Sequence, residues 1–418
     1  MHFLIVALGT HGDVLPLITL GRHLRARTHR VTLLAPVIYG STIEHDDIGF
    51  VPLSNKDEYE RSVRDIPLLN SRYRALYLLR HAISWNKIVY LTARSLRGPD
   101  LVMVAADRSM LWADFNVHFH LKVPVVRLEF DPPRLRNVIG EIGELPHSRV
   151  QKVLIAKIEA QWRRGMKDQG LPIGRGGMTR LKRSGLRDVP RVCLYPPWLT
   201  NPRRSRSVHD FGFLPPANFG EKSCDPPFKR LSDKKLIVFV AGTLGMTKPW
   251  SDRFFAVSAE ICERLNCEGL LLGGDKSPAI QRPTLSITWR SFLPLTRILS
   301  HASVIVHHGG IGTTAVAMEH GIPQLIIPRF GWQPSTAERF RRLGVCTLLH
   351  ERTYTVERAS NEIQRILNDD SFRKRALALV QQFNPGDVPV RICKFLEDWS
   401  NARRGAQTVH TKNSMLTL

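Results

Sequence analysis

The chain has 418 residues, of which 43% are hydrophobic and 23% charged, so it can bury two cores of ordinary domain size and is not intrinsically disordered. Lysine and arginine number 60 against 37 aspartates and glutamates, which gives a net charge of +23 at pH 7. Such a surface attracts polyanions, including nucleic acid, anionic lipid and phosphorylated small molecules, and the charge alone does not choose among them.

The first half of the chain predicts a parallel sheet covered by helices. An apolar run at residues 2–8 ends in glycine and is typical of a strand buried on both faces. A tight turn at 9–13 and a segment of helical period from Val14 follow, and residues 30–34 form the next predicted strand. Strand, helix and strand in this order are a βαβ unit, whose strands are parallel. Two further strands are predicted at residues 101–105 and 123–130.

A second α/β half begins at the apolar run 235–243, which again ends in a glycine-containing turn. A helical segment at 252–265 follows, and further strands are predicted at 270–272, 286–288, 303–306 and 324–327. Between the halves, residues 196–230 are rich in proline and arginine and are typical of an interdomain connection. The sequence therefore predicts two α/β domains.

The cysteines and the apolar runs indicate in which cellular compartment the protein is expected. Six cysteines in 418 residues are too few and too scattered for a disulfide scaffold, and the one close pair, Cys262 and Cys267, lacks a second pair to complete a zinc site. No apolar run reaches the roughly 18 residues that a membrane-spanning helix needs. The apolar start has no basic segment before it, unlike a secretory signal. We therefore expect a cytoplasmic protein without a metal.

The segment with the clearest chemistry is the glycine-rich turn at residues 306–314. A strand enters this turn and a helix begins near Thr313, so backbone N–H groups at the helix start can bind a phosphate. Gly309, Gly310 and Gly312 allow a ligand to approach the backbone, and His308 can donate a hydrogen bond to a phosphoryl oxygen. A turn of this kind also occurs where a strand and a helix merely pack tightly, so the spacing alone leaves both interpretations open.

This turn and the segment after it resemble the donor-binding signature of family 1 glycosyltransferases, which have the GT-B fold. Further matches lie in the same order along the chain, at residues 9–16, 193–198, 212–213, 238–243 and 292–294. They are most similar to the branch that contains sterol glucosyltransferases, glycopeptide glucosyltransferases and rhamnosyltransferases. The resemblance spans residues 2 to about 344 and does not specify a substrate.

The resemblance implies two Rossmann-like domains whose parallel sheets face each other across a cleft. Residues 1–205 would bind the acceptor, 206–234 would connect the domains and 235–384 would bind a nucleotide sugar. Residues 385–400 would form a C-terminal helix that packs back on the first domain, and 401–418 would be a flexible tail.

The resemblance also implies a role for each matching residue. Asp13 occupies the position of the catalytic base. Phe292 would stack on the nucleobase, with the backbone of Leu293 reading its edge. The diphosphate would be held by Thr243, His308, Gly309, Gly310, Gly312 and Thr313, and the donor sugar by Trp332 and Gln333.

Two alternatives concern the base. His11 has an ordinary pKa near 6.5 that suits a general base, but its position does not match that of the family's base. Asp13 precedes a helix of apolar period, where aspartate is also common as a helix cap.

Some positions depart from the family pattern. Val316 stands where plant-type members have a ribose-binding glutamate, and Glu319, three residues later, is not its equivalent. Trp332 replaces the usual sugar-binding aspartate, and Thr336 replaces the usual asparagine. An indole cannot accept hydrogen bonds from sugar hydroxyls, although its face can pack on a sugar ring. A donor with fewer hydroxyls, such as a deoxysugar, fits this change, and so does a loss of activity.

The predicted function is metal-independent, inverting transfer of a sugar from a UDP- or dTDP-sugar to a hydroxyl of a small-molecule or lipid acceptor, without a cofactor. The alternatives are a catalytically impaired relative that binds nucleotide sugars and a nucleotide-sugar epimerase of GT-B fold.

The surplus charge gives a separate hypothesis. Basic residues concentrate between 149 and 191, where Arg163 and Arg164 lie on a predicted amphipathic helix, and again at 203–206. This basic patch would touch an anionic membrane from the cytoplasmic side or recognise an acidic acceptor, or it is simply solvated. No nucleic-acid recognition signature accompanies it, so nucleic acid is not an expected partner.

Overall fold

The computed structural model describes residues 1–44, 46–65, 71–105, 111–130, 160, 163–172, 189–199, 207–217, 230–243, 250–273, 286–329, 333–382 and 384–415. Its strands form two sheets, one of seven strands in the first half of the chain and one of six in the second. All the strand pairs in both sheets are parallel. The predicted α/β architecture of two parallel sheets is confirmed.

The first sheet has the strand order β3-β2-β1-β4-β5-β6-β7. Its central strand β1 is completely apolar after His2, and it pairs Phe3 with Val31 on one side and with Val102 on the other. All five residues of β1 are buried, as the apolar run predicts. The strands are β1 (His2–Val6), β2 (Arg30–Ala35), β3 (Gly49–Pro52), β4 (Leu101–Ala105), β5 (Val125–Glu129), β6 (Arg191–Cys193) and β7 (Val208–Asp210).

The second sheet repeats this pattern with the order β10-β9-β8-β11-β12-β13. In both sheets the strand order reverses beside the first strand, which is where ligands bind in open parallel sheets. The strands are β8 (Leu236–Val240), β9 (Glu268–Leu272), β10 (Ile287–Arg290), β11 (Ala302–His307), β12 (Gln324–Ile326) and β13 (Cys346–Leu348).

The α-helices follow the strands along the chain. They are α1 (His11–Ala26), α2 (Gly40–Glu44), α3 (Lys56–Asp65), α4 (Ser71–Ser95), α5 (Leu111–His120), α6 (Trp250–Arg264), α7 (Leu295–Ile298), α8 (Ile311–Glu319), α9 (Gln333–Arg342), α10 (Val356–Leu367), α11 (Ser371–Gln381) and α12 (Val388–Met415).

One apolar core joins the two halves. Residues of β1 and α1, such as Ile5 and Leu15, belong to the same buried cluster as Ile311 and Ala315 of α8 and Ile392 of α12. Burial of continuous apolar surface stabilises the arrangement in which α1 and α8 lie side by side.

The connection and the C-terminal segment differ from the prediction. Strand β7 lies within the predicted connection 206–234 but pairs with β6, so the first sheet extends at least to Asp210. Residues 401–415 are helical as the end of α12, whereas the sequence predicted a flexible tail. Arg404 forms an ion pair with Asp100 at 2.8 Å, and Arg403 lies over the Trp399 ring at 5.6 Å. These contacts, with the helix-forming alanines and arginines, extend the helix.

Helix α12 contacts the first domain through a cluster of charged groups. Glu397 accepts hydrogen bonds from Nε and Nη2 of Arg27 at 2.7 and 2.6 Å and lies 2.7 Å from Nε2 of His29. Arg391 donates a hydrogen bond to the backbone oxygen of Phe211 at 2.7 Å. The hydrogen bonds from Arg27 and His29 lower the pKa of Glu397 to about 2.

We expect Glu397→Gln to lower the melting temperature at pH 7 by about 2 °C, the scale of a partly exposed ion pair in a domain of this size. Since the pKa of Glu397 is lower in the folded state, its contribution is present above the ordinary glutamate pKa of about 4.3 and is lost as the pH falls towards 2. Thermal unfolding at pH 7 and pH 3 measures this difference. Glu357→Gln, on exposed α10 surface, is the control. An equal effect of Glu397→Gln at both pH values would contradict the prediction.

Candidate active site

A cavity of about 440 Å³ opens between the two domains, where the turns after β1 and β11 meet. The walls are mainly apolar, and the volume is in the range of small-molecule sites. Of the residues predicted from the sequence, the cavity is lined by His11, Asp13, Thr243, Phe292, Leu293, His308, Gly310, Gly312, Thr313 and Gln333. Gly309 is not among the lining residues, and Trp332 lies outside the described residues.

The first wall is the start of α1. Thr10 is the N-cap of this helix, and its backbone N–H donates a hydrogen bond to the Asp13 carboxylate at 2.8 Å. Gly9 has φ of +133°, and a Cβ at this position would overlap the same carboxylate. Asp13 is therefore not the N-cap; it is the third helical residue, whose carboxylate binds back to the cap and lines the cavity.

His11 lies beside Asp13 and is held by a chain of two tyrosines. Its Nδ1 is 2.7 Å from the hydroxyl of Tyr39, which is 3.4 Å from the hydroxyl of Tyr59. The ring meets Phe292 of the second domain edge-on, with centroids 5.6 Å apart. Burial lowers the pKa of His11 to about 4, so its imidazole is neutral at pH 7.

The second wall is the start of α8. Gly310 is its N-cap and has no side chain to occupy the first N–H groups, and the first turn contains no acidic residue. His307 stabilises the turn through two hydrogen bonds. Its Nδ1 accepts a hydrogen bond from the Gly309 N–H at 3.1 Å, and its Nε2–H donates one to Oε1 of Gln324 at 2.9 Å. Burial lowers the pKa of His307 to about 3, so this support is uncharged.

The starts of α1 and α8 approach each other closely beside the cavity. A Cβ built on Gly312 would lie 3.6 Å from the Cα of Gly12. A helix start has a partial positive charge. At α1 the Asp13 carboxylate neutralises that charge, whereas α8 has no such acidic group, so α8 can receive an external anion.

His308 lines the cavity between the turn after β8 and the turn after β11. Its ring packs on Gly242, which has φ of +76°. Burial, and then the positive charge of Arg329, lower the pKa of His308 to about 4. His308 is therefore neutral at pH 7 and can act on a ligand only as a neutral donor or acceptor.

Two features of the site were not assigned a role from the sequence. Glu319, at the end of α8, lines the cavity, and burial raises its pKa to about 7. The helical spacing of Gly312, Val316 and Glu319 is the signal that places them on one face.

Arg329 is the second feature. Its guanidinium lies over the Trp250 ring at 4.1 Å and forms an ion pair with Glu351 at 3.4 Å, and its backbone N–H donates a hydrogen bond to Oε1 of Gln333 at 3.0 Å.

Within the described parts of the chain, no three His, Cys, Asp or Glu side chains are grouped so that they could hold a metal ion. No helix in those parts is long and apolar enough to cross a membrane. Most of the predicted basic patch lies outside the described residues.

The family model for the C-terminal domain of erythromycin biosynthesis protein CIII-like proteins matches residues 278–398. Curated relatives match over nearly the whole chain. An uncharacterized glycosyltransferase of Mycobacterium tuberculosis is 24% identical over 97% of this chain and 100% of its own length. The O-mycaminosyltylonolide 6-deoxyallosyltransferase of Streptomyces fradiae is 26% identical over 98% of this chain and 100% of its own. Over nearly its whole length the chain is therefore similar to glycosyltransferases, and these matches support the resemblance to family 1.

Solved structures support the fold of this glycosyltransferase. The glycosyltransferase of kitacinnamycin has a TM-score of 0.73 at 17% identity, with 95% of this chain and 98% of that chain covered. The glycosyltransferase VinC in complex with dTDP has a TM-score of 0.66 at 17% identity, with 94% and 100% covered. The predicted GT-B fold is confirmed, and the enzyme is a hexosyltransferase, as the sequence indicated. The roles of the individual site residues stay predictions.

Proposed function

We propose that this enzyme transfers a sugar from a UDP- or dTDP-sugar to a hydroxyl group of a small natural-product acceptor, with inversion at the anomeric carbon. The observation that carries the proposal is the cavity that is lined by both the uncapped start of α8 and the Asp13 carboxylate. One wall suits an anionic leaving group, and the other holds a group that can accept a proton.

The diphosphate of the donor would bind at the start of α8. The residues of the first turn of α8, whose N–H groups have no side-chain cap, line the cavity, and Thr313 and Thr243 add hydroxyls there. These donors are held in place before the reaction, so they stabilise the charge that develops on the leaving diphosphate. This charge stabilisation by the chain itself supports a reaction that does not depend on a metal.

Asp13 would act as the general base. Its carboxylate lines the same cavity as the turn at the start of α8 but belongs to the first domain, so an acceptor hydroxyl bound beside it would approach the anomeric carbon. The acceptor O–H proton passes to Asp13 as the new C–O bond forms and the bond to the diphosphate breaks. Attack from the side opposite the leaving group inverts the anomeric centre.

The natural-product acceptor is proposed from the relatives. The Streptomyces fradiae relatives are, by name, an O-mycaminosyltylonolide 6-deoxyallosyltransferase and a demethyllactenocin mycarosyltransferase, and the mainly apolar cavity suits an apolar acceptor. The 6-deoxyallosyl group in the first name fits the sequence-based expectation that Trp332 is compatible with a donor of fewer hydroxyls, such as a deoxysugar. The dTDP bound to VinC supports a nucleoside diphosphate donor.

The test is turnover with a panel of UDP- and dTDP-sugars and polyketide-type alcohols, followed by mass spectrometry of the product and NMR of its anomeric configuration. We expect a glycosylated product of inverted configuration whose yield is unchanged by EDTA. A product of retained configuration or a requirement for a divalent cation would overturn the corresponding part of the proposal. Nucleotide binding without turnover of any donor would favour the catalytically impaired relative.

A further inference from the structure

A second cavity, of about 390 Å³, lies at the edge of the first sheet that is remote from the candidate active site. It is formed by the segment before β4, the turn between α5 and β5, and the part of α12 that follows Ser400. The active-site cavity borders the turn after β1, at the carboxyl edge of the same sheet. Strands of five residues place the two edges about 16 Å apart, so the second cavity is separate from the first.

The charge of the second cavity is of one sign. Four basic side chains line it, and none of its described lining residues is acidic. The four are Arg97, Lys122, Arg403 and Arg404. Arg404 pairs with Asp100 at 2.8 Å. The other three form no ion pair with a carboxylate in the described part of the chain, so their positive charges are available to an anion.

Lys122 occupies a backbone position that ordinarily favours glycine. Its φ is +60°, in the left-handed region, where a residue with a Cβ costs stability. Lysine stands there all the same, and its side chain borders the second cavity. Backbone strain of this kind concentrates at functional sites, so the position supports a role for the lysine charge.

The charges of Arg403 and Lys122 act on the same surroundings although they come from different elements. Burial lowers the pKa of His118 in α5, and the positive charge of Arg403 and then that of Lys122 lower it further. A basic group of α12 and one of the turn after α5 therefore act at one place. Such convergence is what a single anionic ligand needs.

The chemistry of the lining indicates a phosphorylated ligand. The planar guanidinium of arginine donates paired N–H groups that match two phosphate oxygens, and lysine adds a compact positive charge. A group with several negative charges, such as a diphosphate, balances three positive charges, whereas one carboxylate does not. The volume is in the range of small-molecule sites, so the cavity can hold more than the phosphate groups alone.

We propose that the second cavity binds a phosphorylated molecule through its phosphate groups, apart from the site of the sugar donor. This inference does not depend on the proposed function. The ligand is bound jointly by the segment before β4, the turn after α5 and α12. Its binding therefore stabilises the packing of α12 on the first domain.

The probe is inorganic pyrophosphate, titrated by calorimetry at constant ionic strength with dTDP present to occupy the donor site. We expect Arg403→Gln to weaken pyrophosphate binding about fivefold and Lys122→Gly about threefold, the scale of partly exposed ion pairs. The double variant should weaken it about tenfold or more, because the two effects add in free energy. Lys122→Gly should not lower the melting temperature, since glycine is unstrained at φ of +60°. Lys394→Gln, exposed on α12 outside the cavity, is the control and should bind as the wild type does.

A second measurement distinguishes a soluble ligand from a lipid headgroup. The wild type and the double variant are co-sedimented with phosphatidylcholine vesicles that contain or lack phosphatidic acid. Binding that the double variant loses supports the site, and the probe that binds, pyrophosphate or the phosphatidic acid vesicle, identifies the source of the phosphate. Equal binding by the wild type and the double variant, or no binding of either probe at millimolar concentration, overturns the proposal. Turnover with nucleotide sugars tests the proposed function separately.

Discussion

Asp13→Asn is expected to lower kcat by at least about 100-fold, because general-base catalysis contributes roughly 10² to 10⁴ and an amide cannot accept the proton. The fold should be retained, since the asparagine Oδ1 can still accept the hydrogen bond that the Thr10 N–H donates to Asp13. Donor affinity should change by less than about twofold, because the proposed diphosphate site is formed by the second domain. Steady-state kinetics at saturating donor and calorimetric binding of UDP measure the two effects.

Two further variants make this result specific. Asp57→Asn alters an exposed aspartate in the first turn of α3, outside the cavity, and should leave kcat unchanged. His11→Gln tests the other candidate, whose pKa of about 4 leaves it neutral and weakly basic at pH 7. If Asp13→Asn keeps kcat within tenfold of the wild type while His11→Gln loses it, the base is His11.

Gly242→Ala is expected to weaken binding of a nucleoside diphosphate by about tenfold or more. Alanine is strained at φ of +76°, which costs on the order of 1–2 kcal/mol, and its Cβ would overlap the His308 ring. The His308 imidazole is buried and must therefore move. The open space next to it is the cavity beside the turn at the start of α8. Calorimetry with UDP and dTDP measures the loss of affinity, and thermal unfolding measures the loss of stability.

Gly170→Ala provides a matched control for the backbone strain. Gly170 has φ of +64°, but a Cβ there would have no atom within 4 Å. The same backbone strain as in Gly242→Ala should lower the stability of this variant by a similar amount, whereas its nucleotide affinity should equal that of the wild type. Equal affinities of the Gly242→Ala and Gly170→Ala variants would show that the packing of His308 on Gly242 does not shape the donor site.

The long strands of both sheets were predictable because their residues carry the signal locally. An unbroken apolar run such as residues 3–6 is typical of a strand buried on both faces, and the turns after β1 and β11 are marked by glycine. Strands β3, β6, β7 and β13 were not predicted, since each has only three or four residues that do not form a continuous apolar run, and their pairing comes from neighbouring strands.

The sequence by itself determined two parallel α/β domains, the glycine-rich turn at the start of α8 and the set of residues now found around one cavity. These follow from local periodicity, turn chemistry and the spacing of motifs. Only the tertiary structure decided that the starts of α1 and α8 approach each other closely, that Tyr39 holds His11 and that α12 binds back through Glu397. The tertiary structure likewise put four basic residues from three segments of the chain around the second cavity. Each of these depends on contacts between residues far apart in the chain, and such contacts leave no periodic trace in the sequence.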